Sequence, residues 1–187
     1  MTTVWAAGFG APRRPFHRLL GVSFTVRPAR TSDVPAIKDL VEPLVQRRIL
    51  LGKESVVFYE SVQEFRVAVD ESGALLGCGA LHVMWQDLGE VRTLAVADDW
   101  LHHGVGHAIL SDIEATALTL SLSRLFCLTF ETKFFGAHGF EAIGEDIVAP
   151  DVYAQLVRSS DEGIAEFLDL SRVKPNTLGN TRMLKHL

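Results

Sequence analysis

Hydrophobic positions along the chain change their spacing most clearly near its middle. Residues 91–96 are an apolar, β-branched-rich run of strand length, which breaks off before Gly104 and Gly106. Beyond those glycines, apolar residues recur at helical spacing, namely Ala108, Ile109, Leu110, Ile113, Ala117 and Leu118. The pattern predicts a strand, a glycine turn and a helix with one apolar face.

The segment ahead of this unit predicts a strand followed by a helix. Residues 24–29 have strand character, and residues 31–33 supply helix-capping side chains just before Pro35. Pro43 lacks a backbone donor, so the helix is expected to break or kink near it.

A hairpin is predicted next. Residues 65–70 and 75–83 fit two strands, and the turn Glu71–Gly73 has the residues that join such strands. Residues 56–62 fit either a short helix or a strand.

The remaining elements alternate between strands and helices. The predicted strands are residues 124–130, 140–144 and 179–187, and the predicted helices are residues 132–138, 150–157 and 161–170. Residues 124–130 are nearly all apolar, as in a parallel strand covered on both faces. The chain is therefore expected to fold as an α+β domain. Its mostly antiparallel sheet has one parallel pair and a cleft where that pair diverges.

Composition fits one domain. The 187 residues are 48% hydrophobic with a mean hydropathy of +0.19, which suits a single well-filled core. Residues 23–187 are assigned to this domain. Residues 1–22 are assigned to an N-terminal extension that either has low order or docks through Trp5 and Phe16.

Charge and cysteine content exclude several classes of protein. A net charge of −5 argues against a nucleic-acid-binding surface. No apolar run has the length of a membrane span or the pattern of a signal peptide, so no membrane partner is expected. Cys78 and Cys127 lie in apolar runs and are predicted to be buried thiols in a reducing compartment, the cytoplasm.

The glycine turn is a candidate site for a pyrophosphate group. A helix start exposes unpaired backbone N–H groups at the positive end of the helix dipole. Gly104 and Gly106 allow the backbone to approach a phosphate closely, although such turns also serve tight packing alone. His102, His103 and His107 surround this turn, but no cysteine or carboxylate stands at ligand spacing, so no metal is expected.

The sequence LAVADDWLHHGVGHAIL at residues 94–110 resembles the acyl-CoA-binding motif of the GNAT acetyltransferase superfamily. Leu101 departs from the motif, which has Arg or Gln at that position. The resemblance implies a GNAT fold and acetyl-CoA as co-substrate, with pantetheine on the strand and pyrophosphate at the turn. The implied cofactor-binding residues are Leu94, Ala95, Val96, Leu101, His102, His103, Gly104, Val105, Gly106 and His107.

A more specific resemblance extends over residues 24–187. Six collinear blocks resemble the short N-acetylglutamate synthases, which lack an amino-acid kinase domain: LLGKES, YESVQEF, GEVRTLAV, LTFETKFFGAHGF, APDVYAQL and LGNTRMLKHL. This resemblance implies an amino-acid N-acetyltransferase that acetylates L-glutamate or L-glutamine, the first step of arginine biosynthesis. Acetyl transfer to another amine and a non-catalytic acyl-CoA sensor are the alternatives.

Acetyl transfer to an amine needs a base for the amine and a proton for the departing thiolate. In the resembling family, the glutamate at the position of Glu90 is the proposed base. Alternation along a strand puts Glu90 and Arg92 on one face, so a purely structural ion pair is the alternative. Thr132 stands where the family often has a serine proposed as the acid, and it could equally be a helix cap. Glu131 replaces the arginine of the family.

The resemblance implies that Lys53, Asn180 and Arg182 bind the acceptor amino acid together with Arg92, and an exposed surface position is the alternative for each of the three. A guanidinium suits a carboxylate, and Arg92 is expected to be free to bind one. Cys127 has no neighbouring base in the sequence, so direct transfer is favoured over an acetyl-cysteine intermediate. A homodimer that pairs through a C-terminal edge strand is a further expectation.

Overall fold

A computed structural model describes residues 17–19, 22–50, 52–144, 148–168 and 180–187. Eight strands of this part form one sheet in the order β1-β2-β3-β4-β5-β6-β8-β7. The strands are β1 (His17–Leu19), β2 (Val22–Pro28), β3 (Phe65–Asp70), β4 (Leu75–Trp85), β5 (Leu88–Val96), β6 (Arg124–Thr129), β7 (Glu141–Ala142) and β8 (Thr181–His186). The helices are α1 (Val34–Gln46), α2 (Ser55–Glu60), α3 (Val105–Thr119), α4 (Thr132–Ala137), α5 (Pro150–Leu156) and α6 (Glu162–Phe167).

The sheet confirms the predicted α+β class. Its neighbouring strands are antiparallel except for β5 and β6, which pair in parallel. That pairing runs from Leu88 opposite Arg124 to Glu90 opposite Phe126, and the described residues show no pair beyond it. The two strands therefore separate after Glu90, and the predicted cleft lies at this point.

A β-bulge interrupts β5 beside the cleft. Cys78 pairs with Ala95 but Ala80 pairs with Arg92, so two residues of β5 stand opposite Gly79 alone. One of them, Thr93, has a positive φ of 53°, a conformation that is uncommon outside glycine. A bulge bends its strand and raises its local twist. Here it redirects β5 just beyond Glu90.

Helix α3 packs closely on β4 because two glycines on that strand leave room for it. A Cβ atom added to Gly79 would lie 2.9 Å from Ile109 Cγ2, and one added to Gly77 would lie 3.0 Å from Ile109 Cδ1. Ile109 is fully buried at this contact. The opposite face of the sheet is covered by α1 and α2, and α5 and α6 pack near Phe126 of β6.

Some predicted elements are confirmed. The hairpin joins β3 to β4, and Asp70 Oδ1 accepts hydrogen bonds from the backbone N–H groups of Ser72 and Ala74 in its turn, at 2.8 and 2.9 Å. Residues 56–62 are helical over most of their length, in α2. Gly139 follows α4 with a φ of 83°, as expected of a glycine that ends a helix.

Other predictions are wrong. Helix α1 continues through Pro43 to Gln46, so the expected break at Pro43 is wrong, whereas a kink there stays a prediction. Leu118 is exposed rather than part of the apolar face of α3. The predicted strand at 140–144 is limited to Glu141–Ala142.

The C-terminal strand β8 is not at an edge of the sheet, because it lies between β6 and β7. The edge-pairing argument for a homodimer is therefore wrong, and the homodimer itself stays a prediction. Strand β1 lies within the predicted N-terminal extension and pairs with the start of β2. Trp5 and Phe16 lie outside the described residues.

Leu110→Ala should lower the free energy of unfolding by about 2–5 kcal/mol, because it removes a fully buried side chain and leaves a cavity. Leu118→Ala on the same helix is the matched control, because Leu118 is 58% exposed. The control should change stability by no more than about 0.5 kcal/mol. Urea unfolding measures both, and equal losses would contradict the assignment of the buried face of α3.

Candidate active site

The Glu90 and Arg92 side chains meet on one face of β5, as strand alternation predicts. Arg92 Nε donates a hydrogen bond to Glu90 Oε2 at 2.5 Å. The Glu90 side chain is only 7% exposed, so its charge lies largely out of water. A buried carboxylate at the point where β5 and β6 separate can act on a ligand in the cleft.

Arg92 has a second carboxylate partner, Asp161, which sequence reasoning missed. Arg92 Nη2 lies 2.5 Å from Asp161 Oδ1, and Nη1 lies 3.1 Å from Oδ2. Arg92 is therefore not free, which corrects the expectation from the sequence. Asp161 Oδ1 also accepts a hydrogen bond from Ile164 N at 3.0 Å, so it caps the start of α6.

His82 and Glu64 extend this set of charges. His82 lies on β4 opposite Glu90, and its Nδ1 is 2.8 Å from Glu64 Oε1. Its Nε2 lies 3.8 Å from Asp161 Oδ2. Neither residue was expected from the sequence, because a histidine in a strand and a glutamate after a short helix carry no motif.

These side chains, with Lys53, form a charged cluster, defined here as Lys53, Glu64, His82, Glu90, Arg92 and Asp161. Burial lowers the pKa of Lys53, and the positive charge of Arg92 lowers it further. The structure thus brings together three of the predicted site residues, Lys53, Glu90 and Arg92.

Burial dominates the ionisation of Glu90. It raises the pKa of this carboxyl above its usual range, while the charge of Arg92 opposes that rise. Burial would also raise the pKa of Asp161, but the hydrogen bonds from Arg92 and from Ile164 N hold it below its usual value. Glu90 is therefore the better proton acceptor of the two near neutral pH.

Helix α6 covers the Glu90–Arg92 pair through Gly163. A Cβ atom added to Gly163 would overlap Glu90 Oε2 and lie only 2.5 Å from Arg92 Nη2. Glycine at this position lets the helix backbone lie directly on the ion pair. This close approach explains part of the burial of Glu90.

The glycine turn has the geometry predicted for it. Gly104 is the N-cap of α3 with a φ of 77°, and no side chain among the described residues caps the helix. The backbone N–H groups of its first turn are thus available to a ligand. A Cβ on Gly106 would lie 3.5 Å from the Phe134 ring and 3.6 Å from Val96 Cγ2, so it would point between β5 and α4.

The histidines and Leu101 border this turn without forming a metal site. Leu101 is exposed, and His103 Nδ1 lies 2.8 Å from the Leu101 carbonyl oxygen. His107 stacks on His138, with ring centroids 4.5 Å apart, and on Phe134. No group of metal-ligating side chains occurs among the described residues.

Thr132 is the first residue of α4 and is exposed. Glu131 is the N-cap of that helix, and Glu131 N donates to Thr129 Oγ1 at 2.9 Å. Thr132 is therefore not the helix cap, which was the alternative to a catalytic role.

Arg182 and Asn180 lie outside the charged cluster as defined. Arg182 donates to the carbonyl oxygen of Phe167 at 3.1 Å and to that of Gly144 at 3.3 Å. It thereby ties β8 to the C-terminal end of α6. Asn180 stands directly before β8.

Both thiols are buried, as predicted, and poorly suited to covalent catalysis. Burial raises the pKa of Cys78 to about 12 and raises the pKa of Cys127 as well. A protonated thiol is a weak nucleophile.

A sheet with one splayed parallel pair, a bulge in β5 and an uncapped helix start after a glycine turn defines an acyl-CoA-binding fold. A model of the Acetyltransferase (GNAT) family matches residues 38–140, and the chain belongs to that family. It is an acetyltransferase that uses acetyl-CoA as co-substrate, as the resemblance implied.

Similar proteins carry names that agree with the more specific resemblance. The chain is 56% identical over 161 residues to an amino-acid acetyltransferase of Mycobacterium tuberculosis, covering 85% of this chain and 92% of the relative. A crystal structure of Rv2747 from Mycobacterium tuberculosis in complex with CoA and NLQ has a TM-score of 0.83 and 55% identity. That match covers 87% of this chain and 99% of the other.

A longer protein matches over part of its length. N-acetylglutamate synthase from Neisseria gonorrhoeae, complexed with coenzyme A and N-acetyl-glutamate, has a TM-score of 0.69 and 25% identity. The match covers 88% of this chain and 35% of the other. In the described ranges of the present chain, no helix is both long and apolar enough to cross a membrane.

Arg92→Ala should lower the free energy of unfolding by about 3–5 kcal/mol, because it leaves Glu90 buried without its cation. Adding Glu90→Gln should recover part of this loss, because the buried charge is then gone. Urea unfolding of the two single variants and the double variant gives the coupling energy, expected to exceed about 1 kcal/mol. Additive losses would contradict a coupled pair.

Proposed function

We propose that this acetyltransferase moves the acetyl group of acetyl-CoA to the α-amino group of L-glutamate or L-glutamine, the first step of arginine biosynthesis. The observation that carries the proposal is Glu90, a buried carboxylate with a raised pKa where β5 and β6 separate. A base at this point can serve an amine that enters the cleft from the acceptor side. The names of the relatives, with the glutamate-derived ligand of the Neisseria gonorrhoeae protein, support the acceptor class.

The donor is proposed to bind along β5 and at the glycine turn. Backbone groups of residues 94–96 serve the pantetheine arm and the thioester oxygen. The turn at residues 101–107 holds the pyrophosphate on its free N–H groups. The missing cap at Gly104 and the open edge of β5 beyond Glu90 support this arrangement.

Transfer proceeds directly in this proposal. Glu90 takes a proton from the ammonium group of the amino acid, and the neutral amine nitrogen attacks the thioester carbonyl carbon. The new C–N bond forms as the C–S bond breaks, and Thr132 donates the proton that the leaving thiolate accepts. The second proton of the amine then passes from the acylated nitrogen to the Thr132 oxygen, which restores the hydroxyl group, and Glu90 releases its proton to solvent. The buried, protonated thiols support direct transfer over an acetyl-cysteine intermediate.

The acceptor is proposed to bind through cations beside the base. Arg92 binds the α-carboxylate, and Lys53 contributes positive charge near it. Asn180 and Arg182 belong to the segment that borders the acceptor, with Arg182 acting through its contact with α6. A cytoplasmic location is part of the proposal, and the two free thiols support it.

Gly106→Ala tests the donor site without harming the fold. Its Cβ would meet Phe134 and Val96 at ordinary contact distances, so stability should stay level or rise by up to about 1 kcal/mol. The same methyl group enters the proposed path of CoA, so binding measured by calorimetry should weaken about tenfold. Gly136→Ala on α4, with open space around its Cβ, is the control and should bind CoA normally. Equal affinities would contradict the proposed donor position.

Glu90→Gln tests the base. The rate of acetyl transfer to L-glutamine, measured by the release of free thiol, should fall about 10²–10⁴-fold. Only ionised Glu90 accepts a proton, so wild-type kcat/KM should rise as pH increases through its raised pKa, and the variant should lack this rise. Glu114→Gln on α3, which breaks an ion pair with Lys185 of β8, is the control for the charge change. A variant that keeps the wild-type rate and pH profile would overturn the assignment.

A further inference from the structure

Both hydrogen-bonding sides of the Arg92 guanidinium are held by carboxylates of the protein. A guanidinium binds a carboxylate through two parallel N–H groups, either from Nη1 and Nη2 or from Nε and one Nη nitrogen. Asp161 takes the first side through both of its oxygens. Glu90 takes Nε on the second. A substrate carboxylate that binds Arg92 in two-point fashion must therefore displace one of them.

The two occupants differ in how easily they can leave. The Glu90 side chain is 7% exposed and the Asp161 side chain is 27% exposed. An ionised Glu90 that lost Arg92 would be buried without a cation, which is costly. Asp161 stands at the start of a short helix, and water can solvate it. It also keeps a neighbour in His82, whose Nε2 is 3.8 Å away.

We propose that Asp161 occupies the subsite for the acceptor's α-carboxylate, and that the amino acid binds by replacing Asp161 on Arg92. This inference rests on the proposed function and assigns its carboxylate subsite. The exchange substitutes one carboxylate for another, so Arg92 keeps two carboxylate partners. Asp161 thus competes with every acceptor that carries a carboxylate there, and it does not compete with one that lacks it.

Two probe ligands distinguish an acceptor that carries the α-carboxylate from one that lacks it. The probe 4-carbamoylbutanoate is L-glutamine without its amine, and 4-aminobutanamide is L-glutamine without its α-carboxylate. Calorimetric titration of each into the CoA-loaded protein measures binding without turnover. Asp161→Asn removes the competing charge and keeps an oxygen that can cap α6. Asp151→Asn, an exposed aspartate in the first turn of α5, is the matched control.

Asp161→Asn should tighten the binding of 4-carbamoylbutanoate about fivefold, because the neutral asparagine side chain competes for Arg92 more weakly than a carboxylate does. It should leave the affinity for 4-aminobutanamide unchanged, and Asp151→Asn should alter neither. In thiol-release assays, the KM for L-glutamine should fall by a similar factor. If the asparagine variant does not fold, Asp161→Ser offers a shorter uncharged cap for the same titrations.

Three results would overturn the subsite or the function separately. Unchanged binding of 4-carbamoylbutanoate to the Asp161→Asn variant would show that Asp161 does not occupy the carboxylate subsite. If both probes bound the variant more tightly by the same factor, Asp161 would restrict access of any ligand to the cleft rather than compete for Arg92. Wild-type protein that releases no thiol with any amino acid would overturn the proposed function, whereas a selective effect on the carboxylate probe would still support the subsite.

Discussion

The separation of β5 and β6 after Glu90 is the constraint on which the site depends. Up to that residue the two strands share a parallel ladder, and beyond it the described residues show none. The bulge opposite Gly79 lies just past this point and turns β5 away. A sheet that stayed paired would have no cleft, and Glu90 would be one more buried side chain in a closed core. Because β6 is instead paired with β8 along its length, the sheet stays continuous on the far side of the opening.

The charged cluster is costly to bury and adds little to stability by itself. Removing ions from water costs several kcal/mol each, and apolar replacements of buried ion pairs are often as stable. The pKa shifts of Glu90 and Lys53 both move these groups towards their neutral forms, which is the direction that burial imposes. In the proposed mechanism, the same rise in pKa helps Glu90 to hold a proton during transfer. The cluster is therefore better explained by chemistry than by folding.

Local patterns predicted the central part of the molecule well. The strand, turn and helix around Gly104 are specified by residues close together in sequence, and alternation alone put Glu90 beside Arg92. Long-range partners could not be predicted: Asp161 is 69 residues from Arg92 and was identified only as the first residue of a predicted helix. The bulge at Thr93 was also not predicted, because a threonine in the sequence gives no local indication of a positive φ. Pro43 misled because tertiary packing carries α1 through it.

The position of β8 shows the same limit on a larger scale. The apolar and polar pattern of β8 indicates a strand, but no local signal shows whether the two-residue strand β7 will pair with β8 on the side away from β6. Leu118 likewise has an apolar side chain at a helical position beside the buried stripe, and only the packed sheet decides that it faces water. Element types follow from short-range chemistry here, whereas neighbours and exposure are decided by the assembled core.

The two halves of the proposed site differ in what mutation can reach. The donor half, as proposed, uses main-chain N–H and C=O groups, which every residue except proline supplies in full, so Leu101 can take the place of the Arg or Gln of the resembling motif. The acceptor half depends on particular side chains, two of which, Glu90 and Asp161, contact the Arg92 guanidinium. Single substitutions can thus change the acceptor while donor recognition persists. In the proposed site, use of the acyl-CoA donor is therefore expected to tolerate mutation, whereas the choice of acceptor can change with few substitutions.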